Sequence, residues 1–415
     1  MRRAPPPAAT YLSSRIRLGM KFGLETMRAL VAALGHPERA FPSLLVAGTN
    51  GKGSVVAYAD SVLRASGLRV GRYTSPHLIR VNERIAVGGR AISDRALDRE
   101  VARVRAAAEA VGAAGKLPAQ PTYFEVLTAA AFLYFQRVRV DIAVLEVGMG
   151  ARLDATNVVD PLASAIVTVD RDHEAYLGTT LAAIAREKAG VLRRGRVTVL
   201  GPMAAEARAA IDKAADVVGA RLVEAKTPKV HLSPLPGAHQ VANAAVAVTL
   251  LKEARAAGVP VDLSKVADGV ARTRWPGRLQ RLPGRPALLV DGAHNPAAAR
   301  ALAGELRRAG PFVLVFAAMK DKDIAAMGRT LFPLAREVVL TRVAASRAAP
   351  PEEIARVVGP AAHGARRAER VRDALSLARR LAGPRGLVVA AGSLYLAGEV
   401  LRSVAAGRRG KRPRK

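Results

Sequence analysis

Short runs of apolar residues alternate along this chain with longer Ala-rich stretches of helical character. Short apolar runs bounded by turn residues are typical of buried strands, and their alternation with helices indicates a largely parallel sheet covered by helices. The pattern predicts strands over 44–47, 140–147, 165–169, 287–290, 312–316, 338–340 and 387–390. It also predicts helices over 53–66 and 179–189, which end at glycines, and a helix that begins at Pro296.

The chain has 415 residues, which is too long for one ordinary core and indicates two α/β domains. We expect a larger N-terminal domain over 1–284 and a smaller, Rossmann-like C-terminal domain over 285–406. Proline and glycine in the segment 274–278 indicate a hinge between the two strand series. The last residues, 407–415, are predicted to form a disordered basic tail.

The composition limits the classes of function. The chain contains no cysteine, which excludes disulfides and thiolate chemistry. It has no apolar run that could span a bilayer, and its first residues lack the apolar core of a signal peptide, so we expect a cytoplasmic protein without a membrane partner. The formal net charge of +31 is compatible with nucleic-acid binding or with arginines spread over solvated faces. Because the basic residues are dispersed and aromatic residues make up only 4%, we expect no nucleic-acid partner.

A glycine-rich segment, Gly48-Thr49-Asn50-Gly51-Lys52-Gly53-Ser54, lies between the first predicted strand and the next helix. Glycines let backbone N–H groups converge on an anion, and a helix start adds the positive end of its dipole. The residues expected to bind phosphate are Asn50, Gly51, Lys52, Gly53 and Ser54, with Lys52 at the terminal phosphates and Ser54 at phosphate or Mg²⁺. The leading glycines are closer together than in the standard P-loop, and the alternative is a glycine-rich turn with a surface lysine.

Other motifs follow in order over roughly residues 20 to 400. They are Thr74-Ser75-Pro76-His77-Leu78, Thr122-Tyr123-Phe124-Glu125, Leu145-Glu146-Val147-Gly148-Met149-Gly150, Arg152-Leu153-Asp154-Ala155-Thr156-Asn157, Asp172-His173, Arg186-Glu187-Lys188-Ala189-Gly190, His239-Gln240-Val241-Ala242-Asn243-Ala244, Pro276-Gly277-Arg278, Asp291-Gly292-Ala293-His294-Asn295-Pro296 and Met319-Lys320-Asp321-Lys322-Asp323. With the glycine-rich loop, this ordered set resembles the folylpolyglutamate synthase and dihydrofolate synthase family, within the cell-wall (muramyl) peptide ligases. The resemblance implies a P-loop-type nucleotide-binding N-terminal domain and an active site between the two domains.

The resemblance also implies a magnesium site. Glu146 ends a predicted buried strand, and ligands collect at the carboxyl ends of strands in open α/β sheets. By resemblance, Ser75, Glu146, His173 and Lys188 hold two Mg²⁺ ions, and Lys188 is carbamylated by CO₂, so that an ammonium becomes an oxygen ligand. The alternatives are a capping or ion-paired Glu146, a structural His173, a turn residue at Ser75 and a Lys188 whose stem covers apolar surface.

For the nucleotide, the resemblance implies Asn243 near the ATP, Arg278 at its phosphates and Asp291 at the ribose side. For the substrate, it implies the residues Thr122, Tyr123, Phe124, Glu125 and Asp154. The first four are equally compatible with the hydrophobic start of a helix that runs to Arg137. Roles for His294 and Lys320 stay open.

The implied activity is ligation of L-glutamate to tetrahydrofolate, and to dihydropteroate, through an acyl phosphate. Lys52, His173, Lys188 and Arg278 are the expected catalytic residues, and the protein is expected to act as a monomer. One alternative is a cell-wall precursor ligase, for which we expect too few residues before the glycine-rich loop to hold its extra domain. The other is a non-enzymatic basic protein that binds nucleic acid. Ala151 and Arg171 depart from the family pattern, which bears on substrate preference more than on the reaction.

Overall fold

The computed structural model describes residues 8–16, 19, 23–226 and 234–409, with only the backbone of 407–409. Its first sheet has eight strands, in the spatial order β4-β3-β2-β5-β1-β6-β7-β8. Their bounds are β1 (Ser43–Ala47), β2 (Val70–Tyr73), β3 (Ile85–Val87), β4 (Arg90–Ala91), β5 (Ile142–Glu146), β6 (Ala163–Ile166), β7 (Val197–Leu200) and β8 (Arg221–Glu224). The six neighbouring strands β2-β5-β1-β6-β7-β8 are parallel to one another. The β2–β3 and β3–β4 pairs are antiparallel.

Helices cover both faces of this sheet. They are α1 (Ala8–Ile16), α2 (Glu25–Ala33), α3 (Lys52–Ala65), α4 (Asp94–Ala113), α5 (Tyr123–Arg137), α6 (Glu174–Leu177), α7 (Leu181–Lys188), α8 (Ala205–Val218), α9 (Ala238–Ala256) and α10 (Val266–Ala271). Apolar residues of α3, α9 and α10 form the core on one face, and those of α1, α2, α4, α5, α7 and α8 form the core on the other. Strands β1 and β5 are buried at every position because both faces are covered.

The second sheet has the order β13-β12-β11-β14-β10-β9, and only β9 is antiparallel to its neighbour. Its strands are β9 (Gln280–Leu282), β10 (Ala287–Val290), β11 (Phe312–Phe316), β12 (Glu337–Thr341), β13 (Arg366–Ala368) and β14 (Leu387–Ala391). Its helices are α11 (Pro296–Leu306), α12 (Ile324–Leu331), α13 (Pro351–Val358), α14 (Val371–Ala382) and α15 (Leu394–Arg409). The predicted α/β class with two largely parallel sheets is confirmed.

Two predicted boundaries need adjustment. Strand β9 precedes the predicted domain boundary at residue 284, yet it pairs with β10, so the second sheet begins before that boundary. Helix α15 continues to Arg409, so the first residues of the predicted disordered tail are helical, and residues 410–415 lie outside the described residues. Strand pairing therefore crosses the first predicted boundary, and a helix crosses the second.

The strand order of the first sheet places the predicted site residues at one edge. Strand β1 lies between β5 and β6, and β2 lies on the other side of β5. The strands are parallel, so the segments that follow them emerge together at the carboxyl edge of the sheet. These segments carry the glycine-rich loop after β1, Glu146 at the end of β5, Ser75 after β2 and His173 after β6. The predicted third strand is shorter than expected, because β6 ends at Ile166 and the chain then turns toward the glycine-rich loop.

Of the helices in the described part of the chain, none combines the length and the apolar character needed to cross a membrane.

Candidate active site

The glycine-rich loop joins β1 to α3 through backbone conformations that favour glycine. Gly48 has φ 150°, and Gly51, which precedes the first residue of α3, has φ 83°. The Lys52 ammonium donates to the carbonyl oxygens of Gly48 at 2.8 Å and Thr49 at 3.2 Å. Burial lowers the pKa of Lys52, and the Glu146 carboxylate opposes this shift. The loop therefore holds a half-buried cation at the start of a helix, an arrangement that suits an anion site.

Ser54 supports a ligand site in the same loop. Its hydroxyl is buried and has no hydrogen-bond partner among the described residues. A buried polar group without a partner is costly, so such a group is expected to meet a ligand or a water molecule. The hydroxyl therefore fits the predicted contact with phosphate or Mg²⁺.

Replacing Gly51 by alanine is expected to weaken nucleotide binding and to lower the free energy of unfolding. A Cβ at Gly51 would overlap the Asn243 side-chain oxygen and lie 2.8 Å from a Val167 methyl group. We expect about 1 kcal/mol from the left-handed φ and about 1–3 kcal/mol more from the steric overlap. Gly67→Ala is the matched control, because Gly67 has φ 88° and open space around it. Equal losses in denaturant unfolding for the two variants would contradict the steric argument.

Glu146 and Ser75 form the second part of the site. The Ser75 backbone N–H donates to the Glu146 carboxylate at 3.0 Å, and Glu146 is only 5% exposed. Burial raises the pKa of Glu146, while the positive charge of Lys52 opposes the shift. A divalent cation at this carboxylate would favour its ionised form, so Glu146 with the hydroxyls of Ser75 and Ser54 suits Mg²⁺.

His173 belongs to a polar network that crosses between the two domains. Lys322, from the second domain, donates to Asp172 at 2.6 Å and lies 3.3 Å from His173 Nε2. Asn295 donates to Asp172 and to Asn50, both at 2.9 Å. Burial alone would raise the pKa of Asp172, but the Lys322 ammonium holds it well below its usual range. Burial lowers the pKa of His173, which favours the neutral imidazole that a metal ligand requires.

The contact with Lys322 has a consequence for metal binding. The lone pair of His173 Nε2 faces the Lys322 ammonium, and a metal ion would need the same lone pair. Metal binding by His173 therefore requires Lys322 to move away or His173 to turn.

Lys188 is the last residue of α7 and is 2% exposed. Burial lowers its pKa to about 7, the nearby positive charge of Lys52 adds to the shift, and Asp172 and Asp170 oppose it. A lysine with this pKa carries a large fraction of neutral amine near pH 7. Its position is compatible with the predicted carbamate and does not match the alternative of a lysine that extends its ammonium into water.

The second domain and α9 complete the nucleotide side of the site. Asn243 of α9 contacts the loop at Gly51, and Arg278 lies against Gly292 in the second domain. Asp291 accepts hydrogen bonds from the backbone N–H groups of Leu279 and Ala293, both at 2.8 Å. Asp291 therefore ties the end of the linker to the loop that follows β10, and it also lines the cavity.

The open roles of His294 and Lys320 differ in the structure. Burial lowers the pKa of His294 to about 4, and its Nδ1 lies 2.8 Å from the Gly292 carbonyl oxygen. Lys320 is half-exposed and pairs with Glu353 at 3.6 Å. His294 therefore faces the site, whereas the lysine that reaches it is Lys322.

One cavity of about 340 Å³ is lined by most of the predicted site residues. They are Asn50, Gly51, Lys52, Gly53, Ser54, Ser75, Glu146, His173, Lys188, Asn243, Arg278 and Asp291. Within the described ranges, no group of three or more His, Cys, Asp and Glu side chains is placed to hold a metal ion. The predicted ligand set is compatible with this result, because a serine hydroxyl and a modified lysine supply half of it.

The predicted substrate residues lie beside this cavity and not in its lining. The Thr122 hydroxyl accepts from the Glu125 N–H at 3.2 Å, and the Glu125 carboxylate accepts from the Thr122 N–H at 2.8 Å, which forms a capping box at the start of α5. The ring centroids of Phe124 and Tyr73 are 5.9 Å apart, and the Arg84 guanidinium lies 5.3 Å from the Tyr123 ring centroid. The alternative role, the start of a helix, therefore accounts for Thr122 and Glu125. The Tyr123 side chain is half-buried.

Asp154 organises the loop that follows β5. Its carboxylate accepts hydrogen bonds from the Met149 and Thr156 N–H groups and from the Thr156 hydroxyl. Of the two departures from the family pattern, Ala151 is fully buried, and Arg171 is largely exposed and 3.8 Å from Glu174. The Arg171 charge therefore extends away from the cavity.

Comparisons with known proteins show which family this chain resembles. Residues 277–394 match the sequence model of the Mur ligase, glutamate ligase domain. A folylpolyglutamate synthase from Lacticaseibacillus casei is 33% identical over 425 residues, covering 96% of this chain and 98% of that protein. Two proteins from Haloferax volcanii and Halobacterium salinarum, named as probable bifunctional folylpolyglutamate synthase/dihydropteroate synthases, are 37% and 38% identical. This chain spans about half their length, 49% and 51%.

Solved structures agree in fold. E. coli FolC in complex with DHPP and ADP superposes with a TM-score of 0.86 at 30% identity, over 98% of this chain and all of that one. A bifunctional folylpolyglutamate synthase/dihydrofolate synthase with Mn, AMPPNP and L-glutamate bound gives a TM-score of 0.85 at 30% identity, over 96% of this chain and 98% of that one. Identity of this degree over nearly the whole of a relative shows that the chain belongs to the folylpolyglutamate synthase/dihydrofolate synthase family.

Proposed function

We propose that this chain is an ATP-dependent ligase that joins L-glutamate to a folate-type carboxylate. The observation that carries the proposal is the cavity between the domains, where the glycine-rich loop, Glu146 and the second-domain Asp291 face one another. Family membership and the complexes of its relatives with ADP, AMPPNP, DHPP and L-glutamate support it.

The residues of the loop hold the triphosphate. Lys52 leaves its carbonyl partners to bind the terminal phosphates, and the helix start and loop N–H groups bind the remaining charge. Arg278 adds positive charge from the domain junction, and Asn243 and Asp291 position the nucleotide. A substrate carboxylate oxygen attacks the γ-phosphorus and ADP leaves. The glutamate amine then attacks the acyl carbon of the acyl phosphate, phosphate leaves, and the amine proton passes to solvent.

Two Mg²⁺ ions belong to the proposal. Ser75 and Glu146 would hold one, and His173 with a carbamylated Lys188 would hold the other. When bound, the ions neutralise charge on the phosphates. Around them the chain excludes water from the acyl phosphate, because its two domains close over the cavity.

The acceptor is proposed to be a reduced folate or dihydropteroate. Tyr123 offers a half-buried ring for stacking beside the Arg84 guanidinium, and dispersed positive charge attracts anionic substrates. The protein is proposed to be a cytoplasmic monomer, a state that sedimentation analysis tests.

The test is ligation with purified protein, ATP, Mg²⁺ and L-glutamate, offered with tetrahydrofolate or dihydropteroate. We expect at least one acceptor, and favour both, to gain glutamate in step with ADP release, as measured by mass spectrometry. Turnover of another carboxylate, with neither pterin compound glutamylated, would contradict the folate assignment.

A further inference from the structure

The segment that follows Ser75 reaches across to the second domain. Leu78 is half-buried, and its side chain packs against the apolar cluster that the second sheet forms with α14 and α15. A Cβ at Gly277 would lie 3.3 Å from a Leu78 methyl carbon and 3.7 Å from the Ala397 methyl carbon. Leu78 therefore sits between the linker that carries Arg278 and helix α15.

Helix α15 meets the backbone of this segment directly. A Cβ at Gly398 would overlap the Leu78 carbonyl oxygen, so only glycine allows this approach. One turn later, the Arg402 guanidinium donates to the Ile79 carbonyl oxygen at 3.1 Å. Two main-chain carbonyl groups of the first domain thus dock on one helix of the second.

The segment itself is held rigidly in the first domain. The Glu83 carboxylate accepts hydrogen bonds from the N–H groups of Leu78, Ile79 and Arg80, at 2.8, 3.0 and 2.8 Å. Ser75, three residues before Leu78, is bound through its N–H to Glu146. A displacement of α15 therefore reaches Ser75 through a short and well-bonded stretch of chain.

We infer that Leu78, docked on Gly398, is a positioning residue that sets the second domain relative to Ser75 and Arg278. The contact couples domain placement to the residues at the phosphates, and it does so without touching nucleotide or substrate. Its kinetic readout rests on the proposed function, whereas the placement of the domains can be measured independently of any reaction.

Gly398→Ala tests the contact with a matched control, Gly304→Ala. Both glycines lie inside helices, where alanine is the better helix former. A Cβ at Gly304 meets nothing within 4 Å, whereas one at Gly398 meets the Leu78 backbone. We expect Gly398→Ala to raise the Mg²⁺ concentration for half-maximal ligation by about tenfold, the size of effect seen when a supporting contact to a metal ligand is lost. Gly304→Ala should leave it unchanged.

The placement of the two domains is measured as the distance between two spin labels, one in each domain. The chain contains no cysteine, so Val217→Cys in α8 and Arg372→Cys in α14, both exposed, give one labelled pair. We expect Gly398→Ala to shift or broaden the distance distribution, and Gly304→Ala to retain it. Leu78→Ala removes only a half-buried side chain and should act in the same direction, which covers the case that Gly398→Ala does not fold.

Unchanged distances and unchanged Mg²⁺ dependence in the folded Gly398→Ala protein, or in Leu78→Ala if that protein fails to fold, would overturn the inference. Absence of glutamate ligation by the unmodified chain would instead count against the proposed function, while the distance comparison would still decide on the docking contact.

Discussion

Lys52→Ala is expected to lower kcat by about a hundredfold or more while the fold persists. A contact made to the transferred phosphoryl group in the transition state contributes roughly 3–4 kcal/mol, which corresponds to that change in rate. Lys52 lies at the start of α3, and its partners are two carbonyl oxygens of its own loop. These partners are neutral and hold the ammonium by hydrogen bonds alone, so a phosphate can recruit it at small cost.

The control for this prediction is Lys116→Ala, because Lys116 is an exposed lysine that follows α4, away from the cavity. Thermal unfolding should give similar melting temperatures for both variants, since Lys52 makes only loop contacts. Single-turnover kinetics at saturating ATP separates the chemical step from binding. A folded Lys52→Ala protein that turns over at the unmodified rate would show that the loop is not the phosphate site.

The fold followed from apolar runs because strands buried on both faces need continuous apolar residues. The run at 44–47 becomes β1 and that at 312–316 becomes β11, each buried along its whole length. Because these strands are parallel, the ends of β1, β2, β5 and β6 lie at one edge of the sheet. The glycine-rich loop after β1 therefore indicated where most of the other site residues lie. Where a strand ends is less predictable, because Val167 and Val169 are apolar and yet lie beyond β6, which ends at Ile166.

The interdomain network was not predictable in the same way. Lys322 and Asp172 are 150 residues apart along the chain, and their contact depends on how two separate sheets pack. A local motif such as Lys320-Asp321-Lys322 gives no sign of which lysine contacts Asp172 and His173. The docking of Leu78 on α15 could not be predicted for the same reason, since an isolated leucine after Pro76-His77 has no distinguishing pattern.

The role of Thr122 and Glu125 could have been predicted. A threonine followed three residues later by glutamate, just before an apolar run, is the signature of a capping box at a helix start. In the structure both side chains accept the backbone hydrogen bonds of that capping box. A sequence motif shared with a family can therefore reflect a helix start as well as a substrate site.

Lys188→Ala is expected to lose most ligase activity, by about a hundredfold, because in the proposed site it would remove the carbamate oxygen ligand of a second Mg²⁺ ion. Carbamylation needs a neutral amine, and burial with the nearby Lys52 charge holds the pKa of Lys188 at about 7, far below that of an exposed lysine. An unmodified ammonium beside Glu146, His173 and Mg²⁺ would repel the ion, whereas a carbamate attracts it.

Replacing Lys188 by alanine and by methionine distinguishes the loss of a metal ligand from the loss of side-chain volume. Alanine leaves space in which acetate can supply carboxylate oxygens, so acetate should partly restore activity to Lys188→Ala. Methionine fills the same space with an apolar chain, so Lys188→Met should be inactive with or without acetate. Carbon NMR with labelled CO₂, recorded on the nucleotide-bound protein, should show a carbamate signal that both variants lack. A bare Lys188 side chain in an active, nucleotide-bound enzyme would refute the carbamate, whereas a bare side chain without nucleotide would not, because carbamates form reversibly.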